Sequence, residues 1–524
     1  MRRLGPILLC SIMTGAVMMT LPARAEPFRC GRTGGAMTFA LESNVNGLDM
    51  HATSANSTRD IATSFHETLI TRDETMKPLL LLAQSVTADT ANQVFTFTLR
   101  DGVPFHNGKI MTSADVLASF ERYKRVGLDR SVLDPVTSMT APDAGTFVLS
   151  LSAPFPTFLE SLSSITVPIV IVPAENANAP ARELPPIGTG PWRVEEFVAN
   201  SFVRLRRFDG YKADTRYDDR TGYGGYKVAC LDQITFRMVT EPGARVAGLQ
   251  TGELHGVQDV PATAQKRLTA DKAVRLERIE NYWLNIAYPN WSFPPTNNPL
   301  FRQAVLAAMD FDEIMEAASD GLYRLSPSLQ YPGTTYYSEA GKEAVNQRNP
   351  DKARRLLKES GYAGQKVVLM TNKDYPVRYN TAVVMAEQMK AVGINAELLV
   401  LDWPTSLQKS LKATPDWHFF FSGWITYTAQ GGAQTLRPMA EPSAIHMPLD
   451  GKVDPVWMAD FRETAYGATE DARKAAFARA QKTALETMMV IPFGVMPKVQ
   501  GIRANVEHYK PFYNPRLYNV WLRE

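Results

Sequence analysis

The stretch Leu82–Lys124, LAQSVTADTANQVFTFTLRDGVPFHNGKIMTSADVLASFERYK, decides how the chain is read. In QVFTFTLRDG, Phe95, Phe97 and Leu99 alternate with polar residues, the period of a half-buried strand, and the run ends in an Asp-Gly turn. After PFHNG the period changes. Val116, Leu117, Phe120 and Tyr123 share one face of a helix predicted over residues 113–125, with Ser113 as its N-cap. AMTFAL (36–41) and TFVLSLSAP (146–154) read as further strands, so strands and helices interleave in mixed α/β layers.

Outward from that block, NPLFRQAVLAAMDFDEIMEAA (298–318) reads as one long helical run, and NPDKARRLLKESGY (349–362) as a helix stopped by Gly361. KVVLMTN is a strand, YNTAVVMAEQMKAVG a helix ending at Gly393, and NAELLVLDW another strand. DWHFFFSGW (416–424) follows as a strand whose FFF fills a core, and a long helix from about Glu470 to Met488 precedes a Pro-broken apolar strand. Such alternation predicts an open α/β sheet, whose ligands lie in the crevice beyond strand ends.

The opening MRRLGPILLCSIMTGAVMMTLPARA has a basic start, a short apolar middle and a small-x-small end, the layout of a cleaved secretory signal over residues 1–25. No later window is long and apolar enough to span a bilayer, so a soluble mature protein, without direct membrane insertion, is expected. Cleavage would remove three arginines and no acid, taking 56 basic residues to 53 against 54 acidic ones. That balance offers no footprint for nucleic acid. Two cysteines would remain, Cys30 and Cys230; outside the cytosol the expectation is a disulfide, the alternative being two buried thiols. About 499 mature residues, without repeats, imply two or three domains.

Several blocks resemble, in order, the bacterial extracellular solute-binding proteins of family 5, which serve dipeptide and oligopeptide ABC importers. They are Leu82-Ala83, Leu99-Arg-Asp-Gly102, Phe105-His-Asn-Gly108 and Ala114-Asp-Val116, then GTGPW (188–192), LDQITFRMV, FRQAVLAAMD and SGW (422–424). The resemblance implies a bilobal periplasmic binding protein-like α/β fold of type II with an extra subdomain in the first lobe. Lobe I would cover residues 26–280, with the inserted subdomain at about 71–185; lobe II would cover 281–490, and 491–524 would return to lobe I. The hinge is then expected near Glu277–Tyr282 and Ile491–Met496, and the partners implied are an enclosed small molecule and an inner-membrane ABC permease.

Trp424 occupies the family's Gly-Trp position at the cleft mouth, where its flat face and single N–H suit stacking and one hydrogen bond. Peptide-binding members follow that pair with an aspartate for the ligand's α-ammonium; here Ile425-Thr-Tyr-Thr-Ala-Gln430 contains no acid. Thr426, Tyr427 and Thr428 offer hydroxyls instead, as an opine-like, sugar-like or N-blocked ligand would require. Asp402 of LDWP is a possible replacement acid, and the neighbouring Trp403 joins the candidate site. On the first lobe Glu42, Ser43, Asn44 and Asn46 are candidates, with Asn44 preferred. Tyr282 and Trp283 could add aromatic contact at the hinge, and Arg378, at a strand-to-helix turn, an anion contact.

None of the seven histidines forms a His-x-x-x-His pair, Ser406-Leu-Gln-Lys409 lacks the motifs that should follow it, and Gly188-Thr-Gly190 runs into a proline that cannot donate to phosphate. No enzyme, cofactor or metal site is expected. The reading is a monomeric periplasmic component of an ABC importer that captures a small polar organic solute. Peptide cargo is the alternative; metal-chelate or haem binding, or a sensor or chaperone role on the same fold, stand behind it.

Overall fold

The computed structural model describes residues 26–524 except 54, 374, 411, 413, 426–430 and 441–452. Strand β1 (Ala36–Leu41) opens the first half and is followed by helix α1 (Asn56–Ala62). Strands β2 (Ala83–Ala88), β3 (Val94–Leu99), β4 (Val136–Asp143) and β5 (Thr146–Leu151) form a separate antiparallel sheet in the order β2-β3-β5-β4, with helix α2 (Ser113–Val126) packed on it. Phe95, Phe97, Phe120 and Phe147 meet in its core. The alternation read in QVFTFTL is therefore a strand with one buried face. The cap of α2 is Thr112, not Ser113: Asp115 accepts the N–H of Thr112 at 2.9 Å and closes a capping box, while the Ser113 hydroxyl bonds the carbonyl of Asp143 instead.

The chain then lays β6 (Trp192–Val198), β7 (Phe202–Arg207), β8 (Gln233–Met238) and β9 (Gly256–Val257) beside β1, and β1 runs parallel to β8 and β9. Strand β10 (Val274–Pro289) leads into the second half. There the expected single helix of residues 298–318 is two, α3 (Pro299–Ala308) and α4 (Phe311–Ser319). The break falls at Met309-Asp310, because the Asp310 carboxylate accepts the N–H groups of Asp312 and Glu313 and starts a new helix. Next come β11 (Val367–Asn372), α5 (Pro376–Ala391), β12 (Ala396–Leu401), α6 (Trp403–Ser410) and β13 (Phe419–Trp424); β14 (Ile491–Arg503) returns the chain.

Among the described residues these strands join one ten-stranded sheet, β12-β11-β13-β10-β14-β9-β1-β8-β7-β6. Its two halves are coupled by β10 and β14, which pair along both. The ladder between them is interrupted between Ile279 and Trp283 on β10, opposite Pro497, which has no N–H to give. Buried apolar residues divide accordingly. One cluster gathers chiefly Leu284–Val495, and three others belong to the first half and its added sheet. Phe419, Phe420 and Phe421 are all fully buried in the former. Three successive strand residues can be buried only where both sheet faces are covered; β13 lies inside the sheet between β11 and β10, with α5 packed against it. The fold is the bilobal α/β architecture expected.

Cys30 and Cys230 form a disulfide. Among the described residues no helix is long and apolar enough to cross a membrane, and no group of three His, Cys, Asp or Glu side chains could hold a metal ion.

Candidate ligand-binding site

Parallel strands β11 and β13 end on the same side of the sheet, where β10 enters the second lobe: Leu284 pairs with Trp424, and Leu369 with Phe419. Pro376 then starts α5, a position where its fixed φ suits a first helical turn. This puts Arg378 in that first turn. Its guanidinium carbon lies 3.8 Å from the ring centre of Trp403, 4.0 Å from Tyr375 and 5.1 Å from Trp283. Trp403 is braced by a near-parallel stack on Phe420, with centres 5.9 Å apart, and by an edge contact with Tyr375. Arg378, Trp403 and Trp283 are thus brought together, and Tyr375 joins them although sequence reasoning missed it. Its one signal was its place just before the helix-starting proline.

The Gly of SGW has a local reason. A Cβ on Gly423 would stand 2.2 Å from the Trp283 indole, so only glycine lets that ring lie against the strand. Trp424, next in line, is 1% exposed and donates its indole N–H to the Tyr288 hydroxyl at 2.5 Å. Its ring packs with the second-lobe core. The candidates Thr426, Tyr427 and Thr428 lie outside the described residues. Asp402 is exposed and accepts the N–H of Thr405 at 2.9 Å; the Thr405 contacts hold its carboxyl below the ordinary value. Its carboxylate caps the first turn of α6.

Where the β10–β14 ladder is interrupted, the first lobe contributes a buried charge cluster. Lys498 pairs with Glu42, just past the carboxyl end of β1, and its ammonium lies 4.7 Å from the ring centre of Tyr282. Burial opposes its charge, but Glu42, Tyr282 and Asp259 raise Lys498 above its ordinary value, so it stays an ammonium. Tyr282 is buried and stacks on Tyr513, with centres 6.3 Å apart. Asp60 receives Gln258 Nε2 and Asn514 Nδ2, each at 2.5 Å, yet burial pushes its carboxyl up to about 6. Asn44 is not part of this cluster. It is exposed, its carbonyl accepts the Ser57 hydroxyl, and it lines a separate cavity of about 340 Å³ with Asp49 and Arg182.

The motif residues of the first lobe have other work. His106 of PFHNG accepts the N–H of Gly188 at Nδ1 (3.2 Å) and donates from Nε2 to the carbonyl of Gly190 (3.0 Å), one tautomer serving both bonds. Burial lowers its pKa to about 4, which keeps that tautomer neutral. A Cβ at Gly188 would meet the Phe65 carbonyl oxygen at 2.1 Å, so GTGPW must approach that backbone without a side chain. Arg122 of α2 holds Asp49 with two bonds of 3.1 and 2.7 Å, both side chains being buried. PFHNG, GTGPW and ADV are interlocked parts of the lobe's frame.

A family model for bacterial extracellular solute-binding proteins, family 5, middle part, matches residues 77–439. Over 379 residues, 70% of either chain, the sequence is 27% identical to the probable peptide ABC transporter periplasmic-binding protein y4tO of Sinorhizobium fredii. Over 405 residues, 75% of either chain, it is 25% identical to the glutathione-binding protein GsiB of Salmonella typhi. Among solved structures, a dipeptide-binding protein of a Pseudoalteromonas species in complex with Met-Leu superposes with a TM-score of 0.79 at 20% identity, covering 93% of this chain and all of that one. The binding protein AgaA of Agrobacterium tumefaciens in complex with agropinic acid superposes at 0.76 and 23% identity, covering 94% and 99%.

Proposed function

The chain belongs to the family 5 bacterial extracellular solute-binding proteins of ABC importers, and we propose that its cargo is a small polar organic solute with an anionic group, enclosed where β11 and β13 end against the first lobe. The observation that carries this is the setting of Arg378 among Trp283, Tyr375 and Trp403: a guanidinium fixed by flat rings is oriented for carboxylate, and the rings offer stacking surface beside it. The neutral run after Trp424 favours a cargo without a free ammonium to neutralise there. Thr426, Tyr427 and Thr428 remain in the proposed site as its hydroxyl-bearing margin, with Trp424 backing it from the second-lobe core and Tyr282 at the hinge. A solved neighbour holding agropinic acid shows what such a fold can enclose.

The lobe boundaries belong to the same reading. Crossings at 280/281 and 490/491 are supported by the interrupted β10–β14 ladder and the separate cores, and an insertion at 71–185 by the four-stranded sheet. The mature protein would act in the periplasm as a monomer, handing cargo to an inner-membrane permease. Free peptide is the second reading, favoured by the names of the relatives. A thermal-shift screen with di- and tripeptides, their N-acetyl forms, opines and oligosaccharides separates the two. A cargo at about 100 times its Kd adds about 2.7 kcal/mol. Stabilisation by N-blocked or opine-like acids supports the first reading, and stabilisation by free peptides alone replaces it with the second.

A further inference from the structure

Arg59 of α1 is 7% exposed, and its Nε is buried without a partner. Among the described residues its guanidinium makes no hydrogen bond or ion pair. It lines a cavity of about 50 Å³ between the first-lobe core and the inserted subdomain, several times the 10–15 Å³ or so that one water needs. His66, 4% exposed, lines the same cavity, and neither of its ring nitrogens has a partner.

The acids nearby are already engaged. Glu67, also in the wall, accepts Lys227 at 2.8 Å, Tyr211 at 3.2 Å and Thr189 at 2.9 Å. Asp60 is held by Gln258 and Asn514. Among the described residues no carboxylate pairs with Arg59, so its guanidinium stands in the cavity wall without a direct anionic contact. Burial, then the neighbouring His106, His51 and Arg122, push His66 well below its ordinary value. A neutral imidazole still offers one N–H donor.

We propose that this cavity is an anion subsite that takes a carboxylate between the Arg59 guanidinium and the His66 ring. Its wall includes Tyr223 and Ile165, both of which also pack against the second-lobe core, so the cavity lies beside the seam between the lobes. The carboxylate comes either from solvent or from an arm of the cargo; the site itself does not depend on the Arg378 reading.

The test is thermal unfolding of the mature protein in sodium acetate against acetamide at constant ionic strength. Wild type should show a saturable, acetate-specific rise of about 2–3 °C. Arg59→Gln should lose it and, without acetate, unfold no earlier than wild type, because it removes an unpaired charge; a merely structural Arg59 would instead lower Tm in every buffer. Thr63→Leu, which fills the cavity and leaves Arg59 in place, should also abolish the rise, while Arg378→Gln should keep it. With Met-Leu or its N-acetyl form present at a concentration that itself raises Tm, a vanishing acetate shift assigns the carboxylate to the cargo, and additive shifts assign it to solvent; both support the site. No acetate-specific rise in wild type, or one that survives in Arg59→Gln and vanishes in Arg378→Gln, overturns it.

Discussion

Arg122 in the first lobe and Arg378 in the second are both buried arginines near the start of a structural story, yet their surroundings differ in kind. Arg122 is gripped by both oxygens of Asp49 and by the carbonyls of Ala179 and Pro180, contacts that tie α2 to the loops around it. Arg378 is laid among three aromatic faces at the end of a strand. A carboxylate clamp fixes a frame; a ring of flat surfaces beside a cation suits a molecule that comes and goes. In the proposed reading the first lobe's motifs hold the protein together and the second lobe's strand ends recognise the cargo.

The contrast can be broken in order of expected effect. Asp49→Ala leaves Arg122 buried and unpaired, so denaturant unfolding should show a loss of about 3–5 kcal/mol, with cargo affinity per folded molecule unchanged. A large affinity change in that variant would place the first-lobe motifs in the site. Reducing the Cys30–Cys230 bridge should lower stability by about 2–4 kcal/mol, again sparing affinity. Gly423→Ala inverts the pattern. Its methyl collides with Trp283, so cargo binding measured by calorimetry should fall by about tenfold or more, for about 1–3 kcal/mol of overpacking.

The smallest effect sharpens the charge cluster beside the interrupted β10–β14 ladder. Asp60 has its pKa raised from 3.8 to about 6 by burial, so the folded state holds this proton more tightly than the unfolded one. Its contribution to stability is full below about pH 4 and disappears as pH rises through about 6. Asp60→Asn should flatten the slope of Tm against pH in that window; an unchanged slope would assign it to other groups.

How much was legible in sequence follows the same division. The frame was readable because local period, turn residues and fixed spacing all act over short distances: β3 and α2 lie where alternation and a helical face put them, and β1, β11 and β13 where their apolar runs do. Two readings failed at helix starts, Thr112 for Ser113 and the break at Asp310, because a short acceptor side chain outweighed the apolar period beside it. The site was only partly readable. Trp283 precedes Arg378 by 95 residues and Trp403 by 120, and it meets them only because β10, β11 and β13 are neighbours. Tyr375 carries no signal beyond its place before Pro376, and the pairing of Glu42 with Lys498 joins residues from opposite ends of the chain.

The most direct measurement is the affinity of Arg378→Gln, by calorimetric titration, for the best stabilising acid from the solute screen, with Tm recorded alongside. Charge-assisted hydrogen bonds of about 1.5–3 kcal/mol predict a loss of at least about tenfold with Tm within a degree or so of wild type. Unchanged affinity in a folded Arg378→Gln protein would contradict the account and move recognition away from the ringed arginine.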